Sequence, residues 1–339
     1  MGLTRIFGKE HLADILRMAD VIEAVESAYC CHFTSSIEIS RSSTKTSSST
    51  DGFSLDSVSG FSKELNTAGI NVSASSPGDI STARNPFSSS VFLLFENRTG
   101  DLLGIFDGRE LTLLRAAGAS AIAAKLFARR DERTMLLIGA GNLAASMVKG
   151  TADSLPYLKH ICVTSRDPRR TENFVRSQSI RYPHIRFSDF PIYDLKEIAP
   201  RSKYVVTATS SEAPLLKKEW ISPGTHITAA GANSPDKQEL DPRIFMGARV
   251  FVDNREQTTL TGECRSAFRN GLIGESDMHE IGGVLAGKTI GRTRDDEITI
   301  FDMTGTPLED MMLGRLALKR AAYRNIGEVL EIIRVPDIV

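Results

Sequence analysis

The residues whose spacing most suggests chemistry are Gly139-Ala140-Gly141-Asn142-Leu143-Ala144, which follow the apolar run Thr134 to Ile138. A short strand, a Gly-x-Gly-x-x-Ala turn and a helix carrying Leu143, Ala144, Met147 and Val148 form an arrangement suited to a diphosphate. The first glycine permits a tight turn, the second lets the backbone approach the pyrophosphate, and the small Ala144 lets helix and strand pack closely. Amides at the helix N-terminus then face the phosphates, where the helix dipole favours negative charge. The plainer alternative is a glycine turn that merely joins strand to helix.

Ile161 to Val163 read as the next strand, followed by Ser165-Arg166-Asp167-Pro168-Arg169-Arg170. Dinucleotide-binding chains hold the adenosine ribose about 20 residues past the glycine turn. Ser165, Arg166 and Arg169 suit a 2′-phosphate, because a guanidinium offers charge-assisted, forked hydrogen bonds. NADP(H) is therefore favoured. NAD(H) stays open, with Asp167 on the 2′-hydroxyl and the arginines solvated. Thr209, Ala230 and Gly231 are counted with the cofactor-binding set.

Other chemistry finds little foothold. The six histidines include no H-E-x-x-H pair, and no Cys/His cluster has zinc spacing, so no metal site is expected. No G-x-S-x-G elbow is present. The four cysteines, Cys30, Cys31, Cys162 and Cys264, form no C-x-x-C pair and read as free thiols of a reducing compartment. No apolar run of about 20 residues exists, so no membrane span is expected, and the cytoplasm is the default location. Lys and Arg total 41 against 42 Asp and Glu, a balance that implies no nucleic-acid partner.

The elements that must position these residues follow from periodicity. The 339 residues suggest two domains. Residues 10 to 33 read as one amphipathic helix. Residues 34 to 62, crowded with Ser and Thr, are either a flexible loop or short strands with a solvated face. Val91 to Phe95 and Leu102 to Phe106 read as a hairpin turning at Gly100, with a second turn at Asp107-Gly108. Leu111 to Ala128 is an Ala-rich buried helix. Tyr204 to Thr207, Thr225 to Ala230 and Val250 to Val252 read as further strands, and residues 308 to 334 as a last helix or two. Strands alternating with helices argue for an α/β chain with a parallel sheet.

At Leu111-Thr112-Leu113-Leu114-Arg115-Ala116-Ala117 the sequence resembles the ornithine cyclodeaminase/μ-crystallin family, whose members carry an L-T-x-x-R-T-A-A run at the head of a long Ala-rich helix. Thr99-Gly100, the segment Ala229 to Asp241, and the stretches Gly291 to Asp302 and Gly305 to Asp310 are similar to family segments too. The resemblance covers most of the chain. It implies a Rossmann-type doubly wound domain over 116–309. Residues 1–115 with 310–339 would form an α+β substrate-binding and dimerisation domain, the active site lying between the two. It further implies a homodimer and a small imino or amino acid substrate.

The resemblance makes Arg115 the arginine that grips the substrate carboxylate, its plainer role being an ordinary salt bridge. Arg41 falls near a second family arginine and is otherwise a solvated loop residue. Lys237 is either near the site or a surface lysine. Glu297 and Asp302 read as structural caps or ion pairs. Two positions depart from the family. Asn71 stands where a lysine is usual, and Asn233 where the cyclodeaminases carry an aspartate. Neither amide can take a proton, which argues against multi-step cyclodeamination. The expectation is an NAD(P)-dependent imine reductase or amino acid dehydrogenase. A cyclodeaminase and a cofactor-binding, crystallin-like protein without turnover are the alternatives.

Overall fold

A computed structural model describes residues 3–35, 38–45, 53–76, 87–232 and 234–332. The chain divides into two units, Met1–Arg115 with Thr306–Val339, and Ala116–Gly305.

The first unit opens with β1 (Thr4–Phe7), α1 (Lys9–Ile15) and α2 (Met18–Thr34). The strands β2 (Glu38–Lys45), β3 (Ser54–Ser62), β4 (Thr67–Ser76), β5 (Phe87–Glu96) and β6 (Leu102–Asp107) follow. α3 (Gly108–Phe127) starts in this unit and ends in the second. Two later elements, separated in sequence by the whole second unit, complete the first. They are the helix Pro307–Arg324 and the strand Glu328–Leu330, named α10 and β15 below.

The second unit contains β7 (Thr134–Ile138), α4 (Asn142–Ser154), β8 (His160–Thr164), α5 (Pro168–Arg181), β9 (Arg186–Asp189), α6 (Leu195–Ile198), β10 (Tyr204–Thr207) and β11 (His226–Ala229). It continues through β12 (Arg249–Val252), α7 (Arg255–Leu260), α8 (Cys264–Arg269), β13 (Met278–Glu280), α9 (Ile281–Leu285) and β14 (Thr299–Asp302). α10 (Pro307–Arg324) and β15 (Glu328–Leu330) then return to the first unit.

All eight strands of the second unit are parallel, in the order β13-β12-β14-β11-β10-β7-β8-β9. The chain leaves the sheet centre in both directions, so β7 and β10 flank a topological switch point. This is the Rossmann-type doubly wound fold. Its central strands read as continuous apolar runs because both faces are covered. Every residue of β10, β11 and β14 is buried. The core gathers Leu136, Ile138, Val205, Ile227, Val250 and Ile300 from five neighbouring strands.

The first unit is an α+β layer. Its sheet runs β15-β1-β6-β5-β4-β3-β2, with every pairing antiparallel except β1 with β6. α10 lies over the face that carries Gly60, Gly69 and Phe92. A β-carbon at Gly69 would stand 2.8 Å from Met311, so the helix sits directly on the strand backbone.

Four expectations are settled or corrected here. The Ser/Thr-rich stretch forms the strands β2 and β3, paired in register from Glu38↔Phe61 to Lys45↔Ser54. The single helix over 10–33 is two helices. Leu16 and Arg17 are extended, Arg17 caps α2, and its guanidinium pairs with Asp20 at 3.0 Å. Apolar spacing runs through this break because Leu12, Ile15, Leu16 and Val21 are all buried. Asp107-Gly108 is a helix start: the Asp107 carboxylate accepts the amide of Glu110 at 2.9 Å. The last helix stops at Arg324, where Asn325 turns left-handed with φ 52°, and the tail pairs with β1 as a strand.

Candidate functional site

In the second unit the turn after β7 is built on Gly139, whose φ of +129° no side chain tolerates well. A β-carbon there would lie 2.5 Å from the carbonyl oxygen of Ala208, just past β10. Gly141 caps α4 in extended conformation. No side chain satisfies its end, and no acid occupies its first turn. The positive end of a thirteen-residue helix is thus left for an anion. Asn142 and Leu143 begin α4, and Ala144 is fully buried beneath it.

At the end of β8, Asp167 caps α5, accepting the amides of Arg169 at 3.0 Å and Arg170 at 3.3 Å. The Ser165 hydroxyl donates to the Asp167 carbonyl at 3.1 Å and lies 2.6 Å from that of Thr171. Arg166 and Arg169 are exposed. Arg170, which the sequence did not single out, donates from Nε to the Ala140 carbonyl at 3.2 Å and so borders the glycine turn.

The loops after β10 and β11 are tied by a residue that sequence reasoning missed. Glu239 is fully buried and accepts the Thr207 hydroxyl at 2.7 Å and the amides of Thr209 at 2.7 Å and Gly231 at 2.9 Å. A β-carbon at Gly231 would overlap the Thr209 carbonyl and come 2.5 Å from Glu239 Oε2. Burial pushes the Glu239 carboxyl above its ordinary range, while its donors oppose the shift. Behind it, Glu263 accepts the amides of Glu239 at 2.6 Å and Leu240 at 2.8 Å, and burial pushes its carboxyl well up. Thr209, Ala230 and Gly231 therefore sit at the carboxyl ends of β10 and β11, beside the switch point. Burial lowers the ammonium pKa of Lys237, with Glu239 opposing the shift. Asn233 lies outside the described residues.

The two C-terminal acids are structural. Glu297 accepts the amide and the hydroxyl of Thr293, each at 2.7 Å. Asp302 is buried, accepts the Cys264 amide at 2.8 Å and is pushed up to about 6 by desolvation.

The first unit gathers a second constellation. Arg115, on α3, places Nη1 3.3 Å from Glu309 Oε2 and Nε 3.1 Å from Asp310 Oδ1. The ion-pair reading of Arg115 is thus realised. Glu309 also accepts the Tyr29 hydroxyl at 2.8 Å and the Thr306 amide at 2.5 Å, closing a capping box on α10. Asp310 is buried, and desolvation pushes it up to about 6 against the pull of Arg115. The Asn71 side chain hydrogen-bonds Asp310, and its Oδ1 accepts the Ser90 hydroxyl at 2.5 Å. Asn71 is thereby joined to Arg115 through Asp310. The backbone of Arg41 stands opposite Val58, which stands opposite Asn71.

Among the described residues no three His, Cys, Asp or Glu are grouped as a metal site, and no helix is long and apolar enough to cross a membrane. A dinucleotide fits the second unit. The left-handed Gly139, the anion-ready end of α4 and the clash awaiting any side chain at Gly231 leave bare backbone along the carboxyl edge of the sheet.

Comparison with known proteins agrees. The family model described as ornithine cyclodeaminase/mu-crystallin matches residues 8–324. An alanine dehydrogenase from Archaeoglobus fulgidus is 32% identical over 253 residues, spanning 74% of this chain and 76% of that protein. An iminosuccinate reductase from Paracoccus denitrificans is 33% identical over 244 residues, spanning 72% of this chain and 74% of that protein. The solved structure of an archaeal alanine dehydrogenase dimer with bound NAD matches with a TM-score of 0.86 and 29% identity, covering 98% of this chain and 100% of that one.

Proposed function

This chain belongs to the ornithine cyclodeaminase/mu-crystallin family, and on that premise we propose that it is an NAD(P)-dependent oxidoreductase acting at the carbon–nitrogen bond of an imino or amino acid. The observation that carries the reading is the Gly139 turn, set at the switch point of a wholly parallel sheet before a helix end that no side chain caps.

In this reading the amides of Asn142, Leu143 and Ala144 hold the diphosphate, and Thr209, Ala230 and Gly231 line the loops toward the nicotinamide end. A bound reduced nicotinamide supplies a hydride to the α-carbon of an imino acid. The chain's own residues supply positioning and charge. Arg115 grips the substrate carboxylate with its planar fork. Asn233 is assigned to orienting the nitrogen, and Lys237 follows it four residues on in sequence. Glu239 holds the Thr209 and Gly231 amides in place, so that the two loops keep one geometry.

NADP(H) is the favoured cofactor. Asp167 Oδ1 accepts two amides of α5, which ties one oxygen of the acid that NAD(H) recognition would use. Ser165, Arg166 and Arg169 remain beside it for a 2′-phosphate.

A homodimer is also part of the proposal. Paired positions on β3, β4 and β5 place Phe61, Ala68 and Phe95 in one row and Ser57, Val72 and Val91 in another. Phe61 and Val91 are exposed at 38% and 40%, so this apolar face is uncovered in the single chain. A second copy presenting the same rows would cover it.

The test is a screen of NADPH and NADH against 2-oxo acids combined with ammonia or methylamine, following loss of the reduced nicotinamide absorbance. Oxidation that requires both the oxo acid and the amine supports the reading. Tight cofactor binding without turnover for any pair contradicts it.

A further inference from the structure

Arg115 carries one positive charge between two buried acids. Its side chain is 15% exposed, against 1% for Glu309 and 3% for Asp310. The two acids are held differently. Glu309 accepts the Tyr29 hydroxyl, the Thr306 amide and Arg115 itself. Asp310 Oδ1 faces Arg115 Nε at 3.1 Å, yet that oxygen accepts no hydrogen bond. From β4 the neutral amide of Asn71 hydrogen-bonds the Asp310 carboxyl, and it can neither add a charge nor carry a proton. Among the described residues, the charged groups acting on Asp310 are Arg115 from α3 and Glu309 from its own helix.

A ligand carboxylate arriving at Arg115 would be a third negative charge around one cation in a desolvated place. Such a cluster sheds charge by protonating its weakest member. Glu309 already holds three donors, whereas Asp310 Oδ1 holds none. We propose that Asp310 is the proton-linked counter-ion of Arg115: when a carboxylate ligand binds the guanidinium, Asp310 takes up a proton from solvent. The step is a simple protonation, in which one Asp310 oxygen gains an O–H bond and nothing is oxidised. The group starts at about 6 without ligand, so one further anion carries it across neutrality. Because Asp310 acts through Arg115, it is a positioning residue. The inference rests on Arg115 being the carboxylate anchor.

Calorimetry separates the two claims. Pyruvate, oxaloacetate and 2-oxoglutarate are titrated into the full chain with NADP⁺ present, in phosphate and in Tris, whose ionisation heats differ. The expected result is a buffer-dependent heat equal to uptake of about one proton per ligand, with affinity falling roughly tenfold per pH unit above neutrality. Asp310→Asn should bind without proton uptake. Asn71→Lys, which adds a cation beside Asp310 and keeps the carboxyl, should do the same and covers a failure of the first variant to fold. Equal heats in the two buffers for the unaltered chain, or uptake that persists in either variant, overturn the role of Asp310 and leave Arg115 as the anchor. Binding of none of the three acids overturns the anchor reading and the inference with it.

Discussion

The amide of Gly139 donates to the carbonyl of Thr164 at 2.8 Å. That bond pins the glycine turn to the end of β8 and holds Gly139 at φ +129°. Gly139→Ala should therefore strain the turn by about 1–3 kcal/mol and push Ala208 aside. Affinity for NADPH, measured by fluorescence titration, should fall at least about tenfold, while the far-ultraviolet spectrum stays that of a folded chain. Unchanged affinity would place the cofactor elsewhere.

The capping role of Asp167 gives the cofactor preference a direct test. Replacing Arg166 and Arg169 together by alanine removes up to two charge-assisted contacts, each worth about 1.5–3 kcal/mol. NADPH should bind at least about tenfold more weakly, and NADH should bind almost as before. An equal loss for both would return the arginines to the solvated surface.

The apolar rows on β3 and β5 make a separate prediction. Phe61→Asp with Val91→Glu places two like charges per chain on the proposed self-complementary face. Light scattering should then report a monomer where the unaltered chain is a dimer. A monomer before substitution would refute this part of the account.

What the sequence disclosed and what it hid have physical reasons. β7, the Gly139 turn and α4 were legible because strand, turn and helix are consecutive, and each glycine answers a local demand of backbone geometry. Arg115 was legible only through its family-like run, and its partners were not. Glu309 and Asp310 lie nearly 200 residues away in sequence, and only the fold brings α10 beside α3. Glu239 was hidden for a related reason. Its task is to join the ends of β10 and β11, and no periodicity records that. The break at Leu16-Arg17 escaped because apolar spacing continues across it. The strands β2 and β3 stayed ambiguous because serine and threonine suit both a loop and a half-solvated sheet.

Asp302 offers a test of the buried acids by pH. Its carboxyl rises from 3.8 to about 6 on folding, so the native state binds its proton more tightly than the unfolded chain does. The stabilisation from this proton is complete below about pH 4 and is lost as pH rises through about 6. The full change is about 3 kcal/mol. Asp302→Asn should flatten that part of the stability profile, read from urea unfolding at a series of pH values. The decline that remains should come from the other carboxyls raised by burial, Asp310, Glu239 and Glu263. A profile unchanged by the substitution would mean that Asp302 does not titrate in this range.

The most direct measurement follows the hydride. Reduced cofactor deuterated at the nicotinamide C4 is incubated with the chain, a 2-oxo acid and an amine, and the amino acid product is weighed by mass spectrometry. The account predicts one deuteron at the α-carbon, with cofactor oxidised in equal amount. Product lacking the label, or ammonia released from a diamino acid with no net cofactor oxidation, would contradict it.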